Sequence, residues 1–373
     1  MIASRYSLPC GLAALLMVAS VALPLAAAPA AGLPARPVAL TMTLAAALLF
    51  ALAGSRAPAA IAFGLAGVII GCAMALALLA DPNVAGAAAI GFWAIVLATW
   101  IAAAVCVTRL SALRPASRGM GRALGLVVPL LFGAFLFFLW EVVVRGFGVP
   151  SVLMPAPSAI ATRFAASIPT LGEDFVQTFV RSVLSGYAIG CAAGFLLAVV
   201  ADRVPFLGRG LLPLGNFASA LPIVGIAPIM VMWFGFDWQS KAAVVAIITF
   251  FPMLVNTIAG LSAAGDIERD LMRSYGASHR QSLAKLHLPA ALPFIFNALK
   301  INATLALIGA IVAEFFGTPT QGIGFRISTE AGRMAIDMVW AEIALAALAG
   351  MAFYGLVALA ERATTFWHPS YRT

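Results

Sequence analysis

Residues able to do covalent or metal chemistry are few in this sequence, and none stands in a pattern that such chemistry requires. The three lysines follow Ser, Ala and Leu, so the Gly-Lys pair of a Walker-type phosphate loop is absent. The three histidines form no HExxH pair, and no GxSxG motif occurs. The four cysteines form no CxxC pair and lie in or beside apolar runs. We predict a protein that is not an enzyme, with no catalytic residue, metal site or cofactor, although an enzyme whose scheme leaves no local sequence trace stays an alternative at this point.

Ionisable side chains inside long apolar runs are the next candidates, because a charge is costly in a bilayer and usually functional there. Glu314, in IVAEFFGTPTQGIG, is the one fair candidate for a proton relay, although its place near the end of the run favours a structural role. Glu141 precedes Arg145 by four residues, which predicts an ion pair along a helix. Asn256 is a neutral polar group that could bond between helices.

The most polar stretch of the chain surrounds DLMRSYGASHRQSLAKLHLPAALP, residues 270–293. Asp266 has the side chain of a helix N-cap, which predicts a short helix beginning near Ile267. Apolar and charged residues then take opposite faces of that helix. Gly276 permits a sharp change of backbone direction after it.

A second short helix is predicted to follow this turn. Ser278 with Gln281 three residues later is the spacing of a capping box. Pro289 is expected to break the chain before the next apolar run. His279 and His287 are expected to be solvated. Two short half-apolar helices at an angle suit docking into a groove on another protein, or lying on lipid headgroups.

The composition of the chain indicates which structural elements flank this polar stretch. The chain is 63% hydrophobic and 10% charged, against about 45–50% and about 25% in soluble domains. Its apolar runs are about 20 residues long and do not alternate with period two, which predicts an all-α membrane protein in the lipid bilayer. Ten runs are predicted to cross it: 10–30, 38–54, 58–80, 87–108, 123–144, 180–200, 211–234, 242–262, 294–316 and 341–360.

The distribution of Lys and Arg predicts the orientation and argues against nucleic-acid binding. With the N-terminus in the cytoplasm, 15 of the 22 basic residues fall on the cytoplasmic side and the other 7 outside. Both termini are then cytoplasmic. The net charge of +8 is spread thinly between apolar runs, without the clustered basic face of a nucleic-acid binder. Arg5 and the LAAAPA stretch also fit a cleaved signal peptide, and that alternative stays open.

The chain is predicted to have two membrane regions. Residues 1–108 hold four apolar runs, residues 109–122 form a basic cytoplasmic linker, and residues 123–373 hold six runs with the longer loops. Ser182, Gly186, Gly190, Gly194 and Ala198 recur every four residues, which predicts a close helix–helix contact.

Pro222 and Pro228 interrupt the seventh apolar run, residues 211–234. Proline removes a helical hydrogen bond, and broken backbone at membrane depth is tolerated where it is buried or lines a cavity. These prolines therefore suggest a translocation path, and two packed helix pieces are the alternative interpretation.

The polar stretch resembles the cytoplasmic loop of ABC importer permeases, written EAA-xxx-G-x9-I-x-LP. Asp270 stands in place of the glutamate, the bulkier Leu271 and Met272 stand in place of the two alanines, and the spacing is kept throughout. The matched positions are Asp270, Leu271, Met272, Gly276, Ala277, Ser278, Leu286, Leu288 and Pro289. ALPIVGIAPIMVMWFG, FFPMLVNTIAGL, LPAALPFIFNALKI and VAEFFGTPTQGIG add to a resemblance that covers about residues 123–365.

The resemblance implies a six-helix permease core in the bacterial inner membrane, and about four additional helices predicted over residues 1–108 precede this core and lie outside the resemblance. It implies a homodimer, two cytoplasmic ATPase subunits docked on the loop, and a soluble extracytoplasmic solute-binding protein. The branch imports taurine, alkanesulfonates, nitrate, bicarbonate and thiamine-precursor pyrimidines. The path would lie between the two copies, near Pro222, Pro228, Asn256 and Glu314. A gradient-driven secondary transporter that depends on Glu314 is the alternative function, and a membrane enzyme without a recognisable reactive residue is a second.

Overall fold

The computed structural model describes residues 4–26, 37–54, 59–113, 117–204, 206–207, 210–211, 213, 222–317 and 320–367. Parts of the predicted runs 10–30 and 211–234 and of the linker 109–122 lie outside these residues. The chain divides into two compact units, Met1–Ile160 and Ala161–Thr373. The regular secondary structure of the described residues is helical, with a single isolated bridge between Ala26 and Ala88 in place of any sheet. The all-α prediction is confirmed.

The described residues of the first unit form five helices before the unit boundary, each over an apolar run that the sequence predicted. Phe50, Phe92 and Met74 are fully buried in its core, and Val142 of the fifth helix joins them. The predicted pair of Glu141 and Arg145 forms at 3.2 Å between Oε1 and Nη1. The helices are α1 (Ser4–Ala19), α2 (Pro37–Ala53), α3 (Ala60–Leu79), α4 (Ile90–Ser111) and α5 (Arg118–Gly146).

The second unit is built on three long helices that pack side by side. The long central helix α9 packs against both α7 and α11 along its length. After α6 (Pro157–Ala166), at the boundary, the helices are α7 (Ile168–Arg203), α8 (Ile223–Phe234), α9 (Trp238–Ser262), α10 (Asp266–Ser274), α11 (His279–Glu314), α12 (Ile323–Gly332) and α13 (Ile336–Thr364). Helix α7 passes through a wide π turn at Val176–Val183, and α11 through another at Leu283–His287.

The contact between α7 and α9 is the close approach that the small residues predicted. A Cβ atom added at Gly186 would meet the carbonyl oxygen of Ala242, and one at Gly190 would meet the carbonyl oxygen of Ala246. Gly194 lies equally close to the carbonyl oxygen of Phe250. Only glycine lets the two backbones come this near. We call Ser182, Gly186, Gly190, Gly194 and Ala198 the small-residue stripe.

Two helix boundaries differ from the sequence prediction. Helix α10 begins at Asp266 itself, and Gly265 in extended conformation is the N-cap, so the prediction that Asp266 caps the helix was wrong. Asp266 instead lies in the first turn, where its charge favours the positive helix end. The chain also does not break at Pro289, since α11 is continuous from His279 to Glu314. The π turn Leu283–His287 lies just before Pro289 and changes the backbone hydrogen-bond pattern near the position where proline has no N–H to donate.

Candidate functional site

The 266–289 loop has a backbone shape that its own residues specify. After α10, the N–H of Gly276 donates to the carbonyl of Arg273, and that of Ala277 to the carbonyl of Met272 at 3.0 Å. These two bonds are the Schellman motif, which needs a residue with positive φ at the position of Gly276. Gly276 has φ of 63°. The predicted change of direction is therefore present.

The second helix of the loop begins with the predicted capping box. The Ser278 hydroxyl accepts from the Gln281 N–H, and the Gln281 side chain accepts from the Ser278 N–H at 2.8 Å. This helix is the first turn of α11 rather than a separate short element. Leu286, Leu288 and Pro289 follow it and are half-buried. A movement of the loop at this point is thus a movement of the end of a membrane-length helix.

The surface of α10 is exposed in this chain, and part of it is apolar. No residue of α10 is buried. Ile267 is 85% exposed and Tyr275, just after the helix, is 80% exposed. Asp270 and Arg273 pair at 3.1 Å beside them. Exposed apolar residues next to fixed charges are typical of a docking surface.

His279 is exposed, as the sequence analysis expected, whereas His287 is half-buried, and both face Asp202 at the end of α7. His279 Nε2 lies 3.9 Å from Asp202 Oδ2, and His287 Nδ1 lies 3.6 Å from Asp202 Oδ1. The His287 side chain is only 19% exposed. Sequence reasoning missed Asp202, since 77 residues separate it from His279 and no local pattern joins them.

The residues predicted to line a path lie on three helices. Pro222 is exposed and is the N-cap of α8, while Pro228 lies inside that helix. Asn256 is half-buried on α9, donates to the carbonyl of Pro252 at 2.8 Å, and accepts from Asn297 of α11 at 3.4 Å. The role of these residues in a path stays a prediction.

Glu314 is 2% exposed and lies in a polar cluster at the far end of α11. Its Oε1 accepts from the Thr178 hydroxyl at 2.7 Å, and its Oε2 accepts from the N–H of Gly324 at 2.7 Å. The N–H of Ile323 donates to Thr178 Oγ1, and that of Gly322 donates to Asp174. Side chains from α7 and α11 thus satisfy three successive N–H groups at the start of α12, where the helix dipole favours negative charge.

Arg326 completes this cluster. Its Nε lies 2.8 Å from Asp174 Oδ2, and Asp174 is fully buried. The hydrogen bond to Asp174 raises the pKa of Arg326 above its ordinary value. Sequence reasoning singled out Glu314 but missed Asp174, Thr178 and Arg326, because the partners are more than 130 residues apart.

The residues of the 266–289 loop and Glu314 therefore lie at opposite ends of α11, while the other candidate path residues lie on α8 and α9. Helix α11 has 36 residues, which corresponds to roughly 54 Å at about 1.5 Å per residue. The 266–289 loop is at one end and Glu314 at the other. Among the residues that the structure describes, no group of three or more His, Cys, Asp or Glu side chains is arranged to hold a metal ion.

The fold first defines the class: a multi-pass membrane protein. Seven of the described helices are long and apolar enough to cross a bilayer by length and composition, namely α3, α4, α5, α7, α9, α11 and α13. In the described parts of the other predicted runs, the shorter apolar helices Tyr6–Ala19, Val38–Ala53 and Ile223–Phe234 are found.

Comparison with known proteins then identifies the family. Residues 190–366 match the model of the binding-protein-dependent transport system inner membrane component. The formylaminopyrimidine transport permease protein ThiX of Halalkalibacterium halodurans is 33% identical over 210 residues, which cover 55% of this chain and 82% of that protein. The riboflavin transport system permease protein RibX of Chloroflexus aurantiacus is 32% identical over 273 residues, or 71% of this chain and 98% of RibX.

A third relative is the putative aliphatic sulfonates transport permease protein SsuC of Bacillus subtilis. It is 28% identical over 261 residues, which cover 69% of this chain and 92% of SsuC. The chain belongs to the family of inner membrane transport components that these permeases represent, and its predicted class is confirmed. Members of this family are transport permeases rather than enzymes.

Proposed function

We propose that this permease works in an ATP-driven importer and that its 266–289 loop is the docking site for a separate cytoplasmic ATPase. The observation that carries the proposal is the loop itself: an exposed half-apolar helix, a glycine turn and the first turn of a membrane-length helix. A partner that moves this surface moves α11 directly. The absence of a Gly-Lys phosphate loop from the sequence agrees with nucleotide hydrolysis on the partner.

The remaining parts of the importer follow from the family and the charge distribution. The excess of Lys and Arg supports a cytoplasmic 266–289 loop with both termini on the same side. The family description supports a soluble extracytoplasmic solute-binding protein as the donor of substrate. We propose a homodimer in the inner membrane, with the path between two copies near Pro222, Pro228 and Asn256.

We propose a small solute as the substrate, either an anion such as a sulfonate or a pyrimidine. The names of the relatives support this range, since they include a formylaminopyrimidine, aliphatic sulfonate, taurine and bicarbonate permease. The chain contains no cluster of buried cations among its described residues that would single out one of these anions.

A gradient-driven carrier is the second candidate function, because Glu314 is a buried acid at the end of a membrane-length helix. Its hydrogen bonds weigh against a relay. Thr178 and Gly324 occupy both carboxylate oxygens, and the carboxylate stabilises the start of α12.

Co-purification from the native host in mild detergent tests the docking proposal. A Cβ at Gly276 would meet nothing within 4 Å, so Gly276→Trp places its side chain on the surface where a partner would bind. Gly276→Asn is the matched control, because asparagine tolerates positive φ and stays small. We expect wild type and Gly276→Asn to recover a Walker-type ATPase, identified by mass spectrometry, and Gly276→Trp to lose it at equal membrane insertion.

Two results would contradict the proposal. Equal recovery of the ATPase with Gly276→Trp would remove the docking role of this surface. Repeated recovery of the wild-type permease alone, with the ATPases of the host present but unbound, would favour the gradient-driven carrier. Solute uptake by a Glu314→Gln variant would then be the next measurement.

A further inference from the structure

We propose that Asp202 is a positioning residue that joins the 266–289 loop to the end of α7 and passes the movement of the docked ATPase into that helix. The inference rests on the proposed docking function and adds a component to it. Helices α9 and α11 continue directly into the loop through the backbone. Helix α7 is separated from the loop by residues 204–265, so α7 is coupled to the loop by contacts in space and not by direct continuation of the backbone.

Asp202 is placed for this task by the last turn of α7. Its side chain is 15% exposed and faces two imidazoles of the loop. One belongs to His279, the first residue of α11, and the other to His287, the last residue of the π turn. The carboxylate therefore faces both the first turn of α11 and the π turn that follows it.

The contacts at this joint are close but incomplete. The separations of 3.6 and 3.9 Å are longer than a hydrogen bond, which is about 2.7–3.2 Å. Asp202 Oδ2 and His287 Nδ1 are both buried and have no hydrogen-bond partner in the described part of the chain. Buried polar atoms without partners are costly, and a small displacement of the loop would bring each imidazole within bonding distance.

An arrangement of this kind can have two states. In the first, described here, the carboxylate and imidazoles are apart. In the second they are bonded, and α7 is held to the loop. A partner that binds the second state better shifts the population toward it. The docked ATPase is such a partner, because it acts on the loop that carries both histidines.

Apolar packing also holds this region together, independently of the polar contacts of Asp202. Leu283 and Leu288 of the loop pack in one cluster with Val199 of α7. Replacement of Asp202 by an uncharged residue of equal size should therefore leave the fold intact. This separation of packing from polar contact makes the proposal testable with Asp202→Asn.

The experiment uses the permease with its ATPase in lipid nanodiscs and measures amide hydrogen exchange with and without ATP and vanadate. In wild type, nucleotide trapping should change exchange in residues 270–289 and also in residues 196–204 at the end of α7. Asp202→Asn should still show the change of hydrogen exchange in the loop on nucleotide trapping, but should no longer show the change in α7. Asp202→Glu, which retains the carboxylate, should restore it. His287→Gln should resemble Asp202→Asn.

Arg203→Gln is the matched control, since Arg203 is exposed and lies next in sequence. The Arg203→Gln variant should show the same change of hydrogen exchange at the end of α7 as wild type. An unchanged α7 response in Asp202→Asn, or the absence of any α7 response in wild type, would overturn the inference while the docking function stood. Loss of the ATPase from Asp202→Asn alone would also overturn it, since Asp202 would then shape the docking surface. Failure of wild type to bind an ATPase would overturn the docking function itself.

Discussion

Single polar side chains in the second unit form hydrogen bonds with backbone N–H groups of a neighbouring helix. The N–H groups at the start of α12 have no partner within the helix, and they donate hydrogen bonds to Asp174, Thr178 and Glu314. Water cannot satisfy such groups in a buried site, so the long helices must supply the partners. A buried acid in a membrane helix is thus explained by the peptide groups beside it before any proton relay is required.

Arg326→Gln tests how strongly this cluster holds the second unit. It leaves the fully buried Asp174 carboxylate without its cation, although the N–H of Gly322 still bonds it. Breaking one side of a buried pair costs about 3–5 kcal/mol. We expect a clear fall in the temperature of thermal unfolding of the purified protein in detergent.

Arg333→Gln is the comparison for that variant. Arg333 pairs with Glu330, but its side chain is 73% exposed and the charge is screened by solvent. It should change the unfolding temperature little. Equal falls of the unfolding temperature would show that the buried pair of Arg326 and Asp174 contributes no more to stability than an exposed pair.

At the scale of elements, the contact of α7 with α9 is the most specific packing in the second unit. Glycines every four residues let carbonyl groups of α9 lie directly against α7. Helix association in lipid depends on such close packing, since there is no hydrophobic gain in bringing apolar helices together. The small-residue stripe therefore determines which face of α7 is buried.

Gly190→Leu should disrupt this contact. Its Cβ alone would meet Thr249 Oγ1 and the carbonyl oxygen of Ala246. Overpacking of this kind costs about 1–3 kcal/mol or more. We expect a lower unfolding temperature and reduced yield in the membrane, measured by fluorescence-detected size-exclusion chromatography with heating.

The same substitution at Gly172 is the control, because it lies on the same helix with nothing within 4 Å of an added Cβ. Gly172→Leu should behave as wild type. If Gly190→Leu were equally stable, the close approach of α7 and α9 would not exist in the membrane.

At the scale of the whole molecule, the two compact units allow the role of the N-terminal region to be tested separately. RibX is matched over 98% of its length by 71% of this chain, so this chain has a segment that RibX lacks. The 266–289 loop lies entirely in the unit Ala161–Thr373. The assignment of residues 1–108 to an added region and 123–373 to the permease stays a prediction.

Deletion of residues 1–108 should leave docking intact. It removes four predicted membrane segments, an even number, so the orientation of the remaining helices is kept. We expect a C-terminal fluorescent fusion to remain cytoplasmic and the ATPase to co-purify as with the full chain. Deletion of residues 1–86, an odd number of three segments, is the control and should disturb insertion. Loss of the ATPase from the first variant alone would show that docking requires the N-terminal region.

Much of the fold and of the loop could be predicted from the sequence, because local physics controls them. Apolar runs of membrane length become helices wherever backbone groups have no water to bond. The positive φ of Gly276 and the capping box of Ser278 depend on residues within a few positions. The four-residue spacing of small residues likewise marks a contact face before its partner is known.

The tertiary structure alone decided which distant groups meet. It pairs α7 with α9, places the Glu314 carboxylate on the start of α12, and brings Asp202 to His279 and His287. It also shows α11 continuous through Pro289, where local propensity favoured a break. These features depend on contacts between residues far apart in the chain, and the free energy of such contacts is set by three-dimensional packing, which sequence spacing does not encode.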